Sequence, residues 1–193
     1  MAFRNICGLK NYVRTKQNLQ KKYTYKMTEL YTLYSENGDE YKLQFTTERS
    51  SLIANNILDR LEQAGIEVVE VGLGRVKGEN ITGHKMLGQI EACIADLLQR
   101  HPNVILSYFC DFINLVPRKK KDMTVQEYRS RLFSAMFKRY ISLNDLDDIC
   151  DNEVRIEGVA ETFYFHVIYR KEHEVYANMI AEGHHSDFDK PDE

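Results

Sequence analysis

The stretch Leu30-Tyr-Thr-Leu-Tyr-Ser-Glu-Asn-Gly-Asp-Glu-Tyr-Lys-Leu-Gln-Phe45 decides the fold class. Leu30 to Tyr34 and Glu40 to Phe45 both alternate in period two, so one face of each strand meets a core while the other stays wet. Asn37-Gly38 between them predicts a tight turn built on positive φ angles. A second strand pair, Val154 to Glu157 and Thr162 to Tyr169, brackets Gly158 near the other end of the chain. Hairpins at both ends point to an α+β domain with a mixed or mainly antiparallel sheet and helices packed on one face, because a doubly wound fold would alternate strand and helix strictly.

Between the hairpins, Ser50-Ser51 is placed to cap a helix through Ala64. Leu52, Ile53, Ile57, Leu58 and Leu61 share one of its faces, and Gly65 is placed to stop it. Ile66 to Val71 reads as a strand and Gly72, Gly74 and Gly78 as a loop. Ile81 to Gln99 carries the best helical periodicity, with Met86, Leu87, Ile90, Cys93, Ile94, Leu97 and Leu98 in one arc. His101-Pro102 ends it, and Val104 to Cys110 follows as a buried strand. Thr124 with Glu127 three residues on forms a capping box for a helix to about Tyr140. Its apolar face is expected to be Val125, Tyr128, Leu132, Phe133, Met136, Phe137 and Tyr140. Glu172 to Ala181 reads as a short last helix, which completes the order ββαβαβαββα.

The 193 residues, 43% of them hydrophobic, suffice for one domain with its own core. The net charge is −3, yet residues 1 to 26 hold seven cations and no acid, which leaves −10 on the rest. This divides the chain into a basic, flexible arm over 1–27, a single α+β domain over 28–182 and an acidic, flexible tail over 183–193. Cys7, Cys93, Cys110 and Cys150 lie far apart, without the spacing of a zinc half-site. They read as reduced thiols in a cytoplasmic protein. No apolar run approaches the ~20 residues of a membrane span.

Most candidate sites reduce to architecture. Gly72-Leu-Gly74-Arg-Val-Lys-Gly78 departs from the spacing of a dinucleotide loop. Cys110 would need a histidine beside it to act as a nucleophile, and no local motif supplies one. His166 reads as a core-edge residue, and His184-His185 with Asp187 sits in the tail, without the surrounding contacts that hold metal ligands in place. No metal and no cofactor is expected. The strongest polyanion signal is the basic patch of Arg118, Lys119, Lys120, Lys121, Arg131 and Lys138, but the neighbouring aromatics point to the core and cannot also stack on bases.

Arg129 differs from those cations. On the helical wheel it falls inside the apolar arc, where a guanidinium needs a carboxylate. Asp111, at the end of the preceding strand, is the expected partner in a structural ion pair.

A strand ending in Cys110-Asp111, then Arg129-x-x-Leu132-Phe133 and an aromatic at Phe137, resembles a small bacterial domain family of unknown function, with Met136 where that pattern has a tryptophan. The resemblance spans about residues 30 to 181 and implies a fold and a bacterial cytosolic setting without an activity. The expected function is a non-enzymatic protein-interaction module of the immunity, antitoxin or defence-accessory type, docking a protein partner through its segregated charge. The alternatives are a nucleic-acid-associated protein using the patch over 118–139 and a metal-dependent hydrolase or nuclease built on scattered acids.

Overall fold

The computed structural model describes residues 12–16, 28–47, 53–80, 82–110, 123–157 and 162–187, with the backbone alone for 12–16 and 184–187. Among the described residues seven strands form one open sheet: β1 (Tyr12–Lys16), β2 (Thr28–Tyr34), β3 (Glu40–Thr46), β4 (Glu67–Lys77), β5 (Val104–Cys110), β6 (Ile149–Glu157) and β7 (Thr162–Arg170). The helices are α1 (Asn55–Gln63), α2 (His84–Arg100), α3 (Val125–Leu143) and α4 (Glu174–Asp187), the last entered through a 3-10 turn at Lys171–His173. From Thr28 onward the order is ββαβαβαββα, as the periodicities require. Ahead of it β1 pairs antiparallel with β2, so the segment read as an arm contributes an edge strand.

The sheet order is β1-β2-β3-β4-β5-β7-β6. Every neighbouring pair is antiparallel except β4 and β5. Parallel neighbours need a long crossover, and α2 supplies it. The β2–β3 loop closes through Gly38 N–H to Ser35 O (3.1 Å) and Ser35 N–H to Asp39 O (2.9 Å). Only Gly38 has positive φ there, at 83°, because a five-residue loop needs one left-handed residue where a two-residue turn needs two.

One expectation fails. The helices pack on both faces of the sheet, α2 and α3 over one and α1 and α4 over the other. Val104 and Leu106 of β5 join the core beneath α2 and α3 with Phe45, Ile94 and Ile168, whereas Ile105 joins the opposite core with Ile57, Leu61, Val167 and Ile180. Alternate residues of a central strand are apolar on both sides, and each side must be covered. The close approach of α4 to α1 depends on residue 183 being glycine: a Cβ there would lie 2.0 Å from Ile57 Cδ1.

Helix ends follow local chemistry. Thr124 Oγ1 accepts the Glu127 N–H at 3.2 Å, as the capping box predicts, and α3 runs on to Leu143. Gly65, at φ 73°, ends α1 with Ile66 N–H bonded to Leu61 O at 2.9 Å. The start of α1 differs: Ala54 is the N-cap and no side chain caps it, while Ser50 and Ser51 lie outside the described residues.

The predicted glycine loop is part of β4. Gly72 and Gly74 pair with Gln44 and Lys42 in a ladder that reaches Lys77, which removes the phosphate-loop geometry. Gly78 then turns the chain at φ 91°. A Cβ there would stand 1.6 Å from Asp39 Oδ1, and Asp39 in turn holds Asn80 through its N–H (3.3 Å) and Nδ2 (3.1 Å).

Candidate functional site

β4 and β5 pair only over Glu67–Glu70 and Val104–Ser107. Beyond that point β4 stays with β3 and β5 with β7, so the two parallel strands run on without pairing each other. Their carboxyl ends, roofed by α2 and α3, bound a cavity of about 290 Å³. In sheets with parallel strands this is where ligands bind, because the connections leave in different directions and open a crevice. The volume lies just below the ~300–1,000 Å³ range of ligand sites, which limits an occupant to a small molecule.

Each wall has a local cause. Leu73 and Arg75 of β4 project on the α2 side by strand alternation, as does Tyr108 of β5, and Tyr41 comes from β3. His84, Leu87, Ile90 and Glu91 lie on one face of α2, and Tyr128, Arg129, Leu132, Phe133 and Met136 on one face of α3. The α3 face predicted to be apolar core is thus largely the cavity roof. Of α3, only Gln126, Ser130 and Phe137 are fully buried.

The cavity is amphiphilic. Tyr108 and Phe133 have ring centroids 5.0 Å apart, and Phe133 stacks on Phe137 at 5.5 Å. Arg75 lies 5.9 Å from the Tyr41 ring centroid and gives Nη1–H to Asn80 O at 2.5 Å, while Tyr41 Oη and Thr82 Oγ1 share a hydrogen bond of 2.8 Å. Glu91 is 6% exposed. Burial pushes its carboxyl up to about 7 against the downward pull of Arg139. Burial and then Glu91 also push the Tyr140 phenol up.

A second polar cluster lies behind the aromatic wall, under α3. His166 Nδ1 is 2.9 Å from Asp151 Oδ1, and its Nε2 is 2.9 Å from Ser130 Oγ. Ser130 donates to Glu153, and Ser134 Oγ donates to Asp151 Oδ2 at 2.9 Å. The His166 ring also touches Phe133 (5.0 Å) and Tyr108 (6.2 Å). In connectivity this is a serine–histidine–aspartate chain. Ser130 and His166 are nevertheless 0% exposed, so no substrate reaches the hydroxyl.

Of the residues singled out in the sequence, Arg129 is half-buried and lines the cavity. Its expected partner Asp111 lies outside the described residues, as do Arg118, Lys119, Lys120 and Lys121. Arg131 and Lys138 are exposed on the outer side of α3, Arg131 bridging to Glu127 at 2.7 Å. Cys93 and Cys110 are buried, and burial, with Asp96 adding to it, pushes the Cys93 thiol up to about 12, far from a reactive thiolate. Among the described residues no group of three or more histidine, cysteine, aspartate or glutamate side chains is placed to hold a metal ion, and no helix is long and apolar enough to cross a membrane.

Reasoning from sequence missed Glu91 and the cluster around His166. Glu91 had a signal, since it is a carboxylate one residue after Ile90 on the apolar arc of α2. Compared with protein families, curated proteins and solved structures, the chain matches none.

Proposed function

We propose that the chain is a ligand-binding domain that takes a small organic anion with a flat apolar body. The observation that carries this reading is the cavity at the carboxyl ends of β4 and β5, where rings and aliphatic side chains stand beside two guanidinium groups, Arg75 and Arg129. The apolar walls supply most of the binding free energy, and the arginines select charge. With 4-methylbenzoate as probe, saturable NMR shifts are expected at the methyl groups of Leu87, Leu132 and Met136. Arg75→Ala should raise Kd about tenfold, the equivalent of ~1.4 kcal/mol. Shifts scattered over the surface, or none at millimolar probe, would remove the reading.

A docking role for α3 is the second reading, favoured by the exposure of Arg131 and Lys138 along its outer side. In this reading the basic segment and that helix face steer an acidic protein partner. Reversing Lys119, Lys120, Lys121 and Lys138 to glutamate should slow association, most at low salt, and leave the melting temperature unchanged. If the domain from Thr28 onward instead binds random DNA or RNA with a steep salt dependence, lost on the same reversal, the partner is nucleic acid.

A further inference from the structure

Glu91 is a buried carboxyl in a cavity wall, and among the described residues no hydrogen bond or salt bridge reaches it. Its oxygens are not among the described buried atoms without a partner, so they open onto the cavity and not into packed core. Arg139 acts on it from a distance, without a salt bridge. A carboxyl that faces open volume and takes no donor from the described residues has the form of half a contact. Resting on the ligand-binding reading above, we infer that Glu91 receives an ammonium group of the ligand, so that the bound molecule is a short zwitterion: an amine at the Glu91 end, an anionic group toward the arginines, and an apolar ring between them.

Three features carry the inference beyond the carboxyl itself. The first is spacing. His84 and Glu91 both line the cavity from α2 and stand seven residues apart, so they share a face about 10 Å apart along the axis, at ~1.5 Å per residue. His84 is exposed and marks the mouth; Glu91 is buried and marks the inner end. A ligand that touches both regions is therefore about as long as one ring with a substituent at each end.

The second feature is the rings. Tyr41, Tyr108, Tyr128 and Phe133 line the same volume, and aromatic faces attract an ammonium beyond what its carboxylate partner provides. The third is charge balance. Arg75 would oppose a ligand carrying only a positive charge, and Glu91 would oppose one carrying only a negative charge. A zwitterion meets both. Burial also holds the Glu91 carboxyl up to about 7, and a bound ammonium replaces the stabilisation of the ionised form that burial removed.

The test uses two probes of one skeleton, 4-(aminomethyl)benzoate and 4-methylbenzoate, titrated into wild type and Glu91→Gln with calorimetry and methyl NMR. Wild type is expected to bind the amine-bearing probe at least tenfold more tightly. Glu91→Gln should bring that preference below threefold while retaining 4-methylbenzoate affinity, which also shows that the variant is folded around an intact cavity. Equal affinity of wild type for the two probes, or a preference that survives Glu91→Gln, overturns the assignment of Glu91 and leaves the cavity as an anion site. Failure of both probes to shift the cavity methyl groups overturns the ligand-binding reading itself and the zwitterion with it.

Discussion

Replacing Arg100 with methionine is expected to lower the free energy of unfolding by about 2–4 kcal/mol, read from the urea midpoint. Glu29 of β2 is only 5% exposed, and its carboxylate is held by Arg100 Nη1 at 3.0 Å, Arg100 Nη2 at 2.9 Å and Tyr31 Oη at 2.8 Å. Arg100 Nε also bonds Asp96 Oδ2 at 2.8 Å. Burial pulls the guanidinium's pKa down, but the bonds to Glu29 and Asp96 outweigh it and the net shift is upward. Removing the arginine takes two bonds and a counter-charge from a buried carboxylate, and breaking such a pair costs ~3–5 kcal/mol when both members are dry. The Arg100 side chain is 28% exposed, so water recovers part of that. Glu29→Leu combined with Arg100→Met should regain a large share of the loss, because an apolar replacement of both partners removes the buried charge. If Arg100→Met melts like an exposed-lysine control such as Lys85→Ala, the pair contributes little.

That pair also shows how much the sequence carries. Strand alternation places Glu29 with Tyr31 and Leu33 on the inward face of β2, so a glutamate on an apolar row announces a buried counter-ion by its position alone. What periodicity cannot name is the partner, 71 positions away at the end of α2. The same limit applies to Arg129. Its place on the apolar arc of α3 is legible, and that arc faces a cavity as well as a core. A helical wheel gives direction and says nothing about how far the next wall stands.

The sheet itself is legible where pattern is local. The hairpin at Asn37-Gly38, the capping box at Thr124 and the stop at Gly65 each depend on a few neighbouring residues, and each appears in its place. Cover on both faces of the sheet also has a sign in the chain, one that the terminal hairpins outweigh: Val104-Ile-Leu and Phe165-His-Val-Ile are continuous buried runs, and a strand without alternation needs a layer on each side. β4 runs past its predicted end because Gly72 and Gly74 weaken strand propensity only locally, while pairing with β3 along the whole length decides the conformation. The cavity follows from the same event: β4 outruns its ladder with β5, and no local signal marks where a ladder stops.

His166→Leu is expected to destabilise the fold by about 3–5 kcal/mol, with Ser130→Ala costing less, about 1–2 kcal/mol, and this ordering separates a structural tie from a catalytic chain. The His166 side chain is 0% exposed and that of Asp151 2%, even though β6 is an edge strand. Removing the imidazole leaves Asp151 with Ser134 alone, a buried charge without its main partner. Ser130→Ala removes one hydroxyl from two contacts and falls in the range for a buried hydrogen-bonding group. The sharing of the Ser130 hydroxyl argues against nucleophilic chemistry independently of burial. An activated serine gives its proton to the ring. Here Ser130 Oγ stands between Glu153 and His166 Nε2, and one hydroxyl hydrogen cannot serve both contacts. A hydroxyl shared with a carboxylate is not committed to the ring as an activated serine is. The cluster's role is to pin α3 to β6 and β7, with His166 backing the Phe133 and Tyr108 wall of the cavity. A fluorophosphonate that labelled the native protein at Ser130, with labelling lost in His166→Gln, would contradict this and restore a hydrolase.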